Sequence, residues 1–172
     1  MRKKIFVRAP CLSQSGYGEQ SRFALRALRS REDLFDIYIQ PIPWGQTGWV
    51  WEQSEFRQWM DERIVQTQIL LQQKQLQPDI SLQITIPNEF QKLAPINIGY
   101  TAGIETTKIA HQWIPKTNEM DKIIVVSNFS KHVFENTEYQ AQNTQTGEQV
   151  ILKTETPVEA VGYPIKTFDN LP

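Results

Sequence analysis

Cysteine occurs once in this chain of 172 residues, as Cys11. One thiol cannot form an internal disulfide, so the expectation is a fold held by its core in a reducing compartment, the cytoplasm. Histidine occurs twice, at His111 and His132. Two isolated histidines and one cysteine make no metal-ligand cluster, and no metal is expected. Excess charge of either sign is missing too: 18 Lys and Arg against 19 Asp and Glu leave −1 at pH 7, which argues against a general nucleic-acid binder. No apolar run reaches the length of a transmembrane segment. The basic start Arg2-Lys3-Lys4 is followed by only a short apolar run, Ile5 to Val7, and reads as a first strand rather than a secretory signal. What remains is ordinary globular composition, 40% hydrophobic and 22% charged, at a length that suits one domain with a sizeable core.

Apolar periodicity divides the chain into alternating strands and helices. Residues 4–7 read as a buried strand, and 9–18 as a turn-rich loop. A helix follows over 19–29, with Phe23, Ala24, Ala27 and Leu28 as its apolar stripe and Arg22, Arg26 and Arg29 as a solvated basic face. Strand two is 34–40. The loop 41–51, PIPWGQTGWVW, carries three tryptophans and is followed by a helix over 54–75 with Phe56, Trp59, Met60, Ile64, Leu70 and Leu71 as its apolar positions. Residues 80–86 form a third strand stopped by Pro87. Strands at 96–100 and 123–126 enclose a polar turn, 101–108, and one helix-length segment. Ser127 is a good N-cap for a helix to about 135. Segments 139–142 and 149–154 flank Thr146-Gly147 as a hairpin, inserted at about 137–156, and 158–163 is a last strand. This alternation predicts an α/β, Rossmann-like three-layer domain over residues 1–172, with a mainly parallel sheet and a β-hairpin insertion.

The candidate site residues lie at strand ends, where open α/β sheets bind ligands. Gly16, Tyr17 and Gly18 follow strand one. Glycines there let backbone approach a phosphate at a helix N-terminus; the plainer reading is a tight turn with positive φ. A full dinucleotide fingerprint needs a third glycine where Ser21 stands and an acid where Gln40 stands, so a nicotinamide oxidoreductase is disfavoured. After strand four come Thr101 and Glu105. A cleft carboxylate holds hydroxyls or assists proton transfer; the alternative is a helix-capping or solvated acid, since Glu105 comes just before a helical segment, where negative charge is favoured. No second acid lies close in sequence to form a glycosidase-like pair, Asp121 being a more distant candidate. Ser127 and Asn128 follow strand five. Ser127 lacks the flanking glycines of a nucleophile elbow and reads as an N-cap with its helix dipole facing the cleft. His111 reads as a surface residue and His132 as structural or solvent-facing. Trp44, Trp49 and Trp51 suit a sugar-stacking platform, but the simpler expectation for at least one or two of them is an indole buried to anchor the loop.

The run over 96–134 contains, in order, Gly99, Tyr100, Thr101, Glu105, Trp113, Asn118, Met120, Asp121, Ser127 and Phe129. It resembles the end of the N-terminal domain of GT-B glycosyltransferases of the family-4 (group 1) type. Relatives usually open the helix before the tryptophan with proline, where this chain has Ala110 and His111; GYPIKTFD near the end matches the family only loosely. The resemblance implies the acceptor-side half of an enzyme that moves a sugar from a nucleotide-sugar donor to an acceptor hydroxyl, usually with retention and without a metal or other cofactor. It implies Glu105 as the catalytic candidate, and Gly16, Tyr17, Gly18, Thr101, Ser127 and Asn128 as substrate- or donor-binding candidates. The partners it implies are the nucleotide sugar, a glycan or other hydroxyl acceptor, and a second, donor-binding Rossmann domain, without which this chain is expected to be inactive. The rival expectation is a non-catalytic glycan- or protein-binding module.

Overall fold

The structure is a computed structural model that describes residues 2–103, 105–142 and 147–164. Its centre is a parallel sheet of six strands: β1 (Lys3–Ala9), β2 (Phe35–Pro41), β3 (Ile80–Ile84), β4 (Ile96–Thr101), β5 (Lys122–Val125) and β8 (Val158–Ala160). Their spatial order is β2-β1-β3-β4-β5-β8, every neighbouring pair parallel. Four helices connect them: α1 (Gly16–Arg29), α2 (Glu55–Gln72), α3 (Trp113–Asn118) and α4 (Asn128–Asn136). A 3-10 turn, Pro87–Glu89, follows β3. The antiparallel hairpin of β6 (Glu138–Gln142) and β7 (Gln149–Lys153) forms a separate small sheet; Thr146 of its expected turn lies outside the described residues, as do residues 165–172. The α/β, Rossmann-like expectation therefore holds, hairpin included.

Alternation along the strands sends successive side chains to opposite faces, and each face has its own core. Ile5, Val7 and Ala9 of β1 share a cluster with Ile37, Ile39, Leu82, Ile84 and Tyr100, closed by Leu25 of α1 and by Phe56, Trp59, Met60 and Ile64 of α2. Ile123, Val125 and Val158 face the other way. They pack with Phe90, with Ile114 of α3 and with Val133 and Phe134 of α4. On this second face Gly99 stands where a Cβ would come within 2.5 Å of the Phe90 ring. A buried polar network sits nearer the amino ends of the strands. Ser81 donates to Asn97 Oδ1 at 2.8 Å, and Asn97 N–H donates to Asp121 at 2.7 Å. Asp121 is thereby committed at the start of β4, the end opposite Thr101, and forms no acid pair with Glu105.

Three expectations need correction. The helix after β1 begins at Gly16, not residue 19, because Ser15 caps it by accepting the Gly18 N–H at 3.0 Å. Neither Gly16 nor Gly18 has positive φ, so the tight-turn reading fails as well. The arginine face of α1 is not simply solvated. Arg22 is buried, donates to the carbonyls of Cys11 and Ser13 at 3.0 and 2.9 Å, and pairs with Glu19. Arg26 and Arg29 lie over the Phe56 and Trp59 rings, and Arg29 pairs with Glu55; Leu25, missing from the expected stripe, is fully buried while Ala27 is exposed. Finally, the segment before β5 supplies only the short α3. Residues 105–108 are bends and α3 starts only at Trp113, so Glu105 does not cap a helix and is instead a solvent-exposed acid.

Cys11 is fully buried just after β1, and burial pushes its thiol from 9.0 to about 12. Because the folded state holds the proton more tightly than the unfolded state, the resulting stability is complete below pH 9 and is lost as pH rises towards 12. The melting temperature should thus be flat to pH 9 and then fall, more steeply than in Cys11→Ala. Tyr100, also raised by burial to about 12, remains in both proteins, so parallel declines would remove the assignment to Cys11.

Candidate functional site

In a doubly wound sheet the ligand crevice lies where connections leave in opposite directions. Here β1 leads outward to β2, and its neighbour β3 leads the other way to β4. The carboxyl ends of β1, β3 and β4 therefore bound the candidate site. The first N–H groups of an α-helix have no partner within it. In α1 the Ser15 side chain takes the Gly18 N–H and the Ser15 carbonyl takes that of Glu19 at 2.9 Å, leaving those of Gly16 and Tyr17 at the helix start. Gly16 is exposed with nothing within 4 Å of a Cβ position, whereas Gly18 is buried against the Ser13 carbonyl.

Tyr17 joins this helix end to β4. Its hydroxyl shares a hydrogen bond of 2.8 Å with Thr101 Oγ1 and accepts the Ala102 N–H at 3.2 Å. Burial raises its pKa, against the opposing pull of those bonds, and the phenol stays neutral at physiological pH. Thr101 is fully buried and holds the loop through its bond to Tyr17. Two residues on, Gly103 adopts φ +84, and a Cβ there would stand 2.5 Å from Ser130 Oγ. That close approach seats the β4 loop against the start of α4. Ser127 caps α4 as expected, accepting the Ser130 N–H at 3.0 Å, and Asn128 and Phe129 are exposed in its first turn. Glu105 is exposed on the same loop with no hydrogen bond or ion pair among the described residues. The structure thus brings Gly16, Tyr17, Thr101, Ser127 and Asn128 to one edge, with Gly18 behind them as packing.

Two charged residues at this edge escaped the sequence reading. Arg8, near the end of β1, donates to the Glu89 carbonyl at 3.3 Å. Glu89, in the turn after β3, accepts from Thr85 Oγ1 at 2.6 Å, and its charge lies close enough to raise the Tyr17 pKa further. An arginine interrupting the apolar run IFVRA was the available signal; Glu89 had none beyond its position after Pro87.

The tryptophan loop borders the same edge. Trp44 packs on Tyr17 with ring centroids 4.5 Å apart. Trp49 and Trp51 are 71% and 89% exposed, so of the three indoles only the half-buried Trp44 takes the anchoring role expected for at least one or two of them. A cavity of about 220 Å³ opens between this loop and residues 12 and 13. A larger groove, about 1020 Å³, runs along α2, but every residue lining it comes from 52–69; it is the flank of one helix, not a concave site at the strand ends. His111 is exposed with its ring 6.0 Å from that of Tyr139, and the exposed His132 meets Asn136. No group of three metal-binding side chains occurs among the described residues, and no helix there is long and apolar enough to cross a membrane. No protein-family model, curated protein or solved structure matches this chain.

Proposed function

We propose that this chain is the acceptor-side domain of a glycosyltransferase, holding the hydroxyl compound that receives a sugar from a nucleotide-activated donor. The observation that carries the reading is the β4 loop, fixed at one end by Tyr17 of α1 and seated at the other against Ser130 of α4. Residues that the resemblance names as separate candidates are neighbours there, at the edge where such sheets bind ligands. Two helix N-termini flank the loop, and both favour negative charge, which suits the diphosphate of an incoming donor. Glu105 provides an exposed carboxylate, unpaired among the described residues, that accepts a hydrogen bond from an acceptor hydroxyl and orients its oxygen. A second nucleotide-binding domain is the expected source of most donor contacts.

Glu105→Gln keeps the shape and removes the charge. Hydrogen bonds to charged groups contribute about 1.5–3 kcal/mol, so the affinity for an oligosaccharide acceptor should fall by roughly tenfold or more. The melting temperature should hardly move, because an exposed acid on a loop contributes little stability. The check is calorimetric titration of both proteins with maltotriose, cellotriose, chitotriose and mannotriose, beside their thermal melts. A stability loss with unchanged binding would make Glu105 structural. The exposed indoles also favour a second reading, glycan binding without transfer; sugar transfer by the chain together with its donor-binding partner separates the two.

A further inference from the structure

We propose that the cavity between the tryptophan loop and the β1–α1 loop is a subsite for one pyranose ring of a glycan, with Trp49 and Trp44 supplying aromatic faces. This rests on the acceptor-side reading and extends it to a named contact surface.

The loop does not need its indoles to stay in place. Its backbone forms a short ladder with residues 12–14: Gln14 N–H donates to Gly48, and Val50 N–H donates to Leu12, both at 2.8 Å. Ser13 and Trp49 form an antiparallel bridge. The Gln14 side chain donates to the Trp49 carbonyl at 3.0 Å, and Arg57 donates to that of Val50 at 2.5 Å. With the main chain so anchored, Trp49 holds its indole 71% exposed, a placement that structural burial does not explain.

The cavity's size and lining select the occupant. At about 220 Å³ it is smaller than the roughly 300–1,000 Å³ pockets that take drug-sized ligands, and it suits a single ring. Its apolar walls include Leu12, Ile42, Trp44 and Trp49, and Thr47 and the mostly buried Ser13 add polar lining. A pyranose has the matching character, a C–H face for the indole and hydroxyls around the rim. An extended proline-rich peptide instead needs a long aromatic groove. A chain of contacts also links the cavity wall to the proposed acceptor site. Ser15, the α1 cap, bonds Ser13 at 2.8 Å, Ser13 bonds Thr47 at 2.7 Å, and Thr47 donates to the Trp44 carbonyl at 2.7 Å. The Trp44 ring rests on Tyr17, which holds the β4 loop.

The test titrates the whole chain with the same four trisaccharides and follows both indole N–H and backbone amide resonances. At least one sugar should shift the Trp44 and Trp49 indoles with a Kd of about 1 mM. Trp49→Ala should weaken that binding by roughly tenfold, near the upper end of an aromatic face contact, while Trp51→Ala, outside the cavity, should leave it within about twofold. Amide dispersion confirms that each variant is folded. Shifts at Gly103 and Asn128 without indole shifts would overturn the subsite and leave the acceptor reading standing. No shift anywhere at roughly 100-fold the expected Kd would overturn both. Equal losses in the Trp49 and Trp51 variants, or binding of a polyproline peptide but no sugar, would overturn the subsite.

Discussion

Gly18→Ala is expected to destabilise the fold by about 3 kcal/mol, the severe end of overpacking, in the absence of any ligand. An added Cβ would overlap the Ser13 carbonyl oxygen and stand 2.9 Å from its carbon. That carbonyl also receives the buried Arg22 guanidinium at 2.9 Å. Moving it disturbs the ion-paired arginine and, through the Ser13–Trp49 bridge, the tryptophan loop. Gly16→Ala is the control. Nothing lies within 4 Å of its Cβ position, and alanine is favoured over glycine in a helix by about 1 kcal/mol, so that variant should match or exceed the parent. Urea unfolding of the two proteins reads the difference. Equal stabilities would show that the β1–α1 loop has room that its geometry denies.

The second large effect concerns Gly99. Phe90 is fully buried, with its ring against the β4 backbone where a Cβ would come within 2.5 Å. β4 is hydrogen-bonded on both sides, to β3 and β5, so the strand cannot retreat. Gly99→Ala should cost about 2–3 kcal/mol. Adding Phe90→Leu should recover part of that loss, because the smaller side chain leaves space for the methyl group. A double variant whose loss equals the sum of the single losses would mean that the two positions are not coupled.

These two glycines mark the limit of what the sequence made legible. The parallel sheet was readable because its strands are short apolar runs separated by helical segments, and the hairpin because Gly147 lies between its two strands. The N-cap at Ser127 was readable as a local signal. The roles of Gly18 and Gly99 were not, since each is set by a non-local neighbour, the Ser13 carbonyl in one case and the Phe90 ring in the other. Arg22 misled for a related reason. An arginine on a helix reads as solvated unless its carbonyl acceptors are known, and Cys11 and Ser13 belong to a preceding loop. The tryptophan loop was readable as aromatic but not as exposed, because the ladder between residues 12–14 and 48–50 carries the anchoring expected of the indoles. Of the candidate site, the positions at strand ends came from pattern. Tyr17 meeting Thr101 and Gly103 meeting Ser130 came only from the fold.

The acceptor-side assignment is tested most directly by paired calorimetry on the whole chain, with trisaccharides in one series and UDP-, GDP- and ADP-sugars in the other. The account predicts binding of at least one trisaccharide at a Kd of about 1 mM and no nucleotide sugar tighter than that, roughly 4 kcal/mol. Micromolar binding of a nucleotide sugar, with no trisaccharide bound, would contradict it.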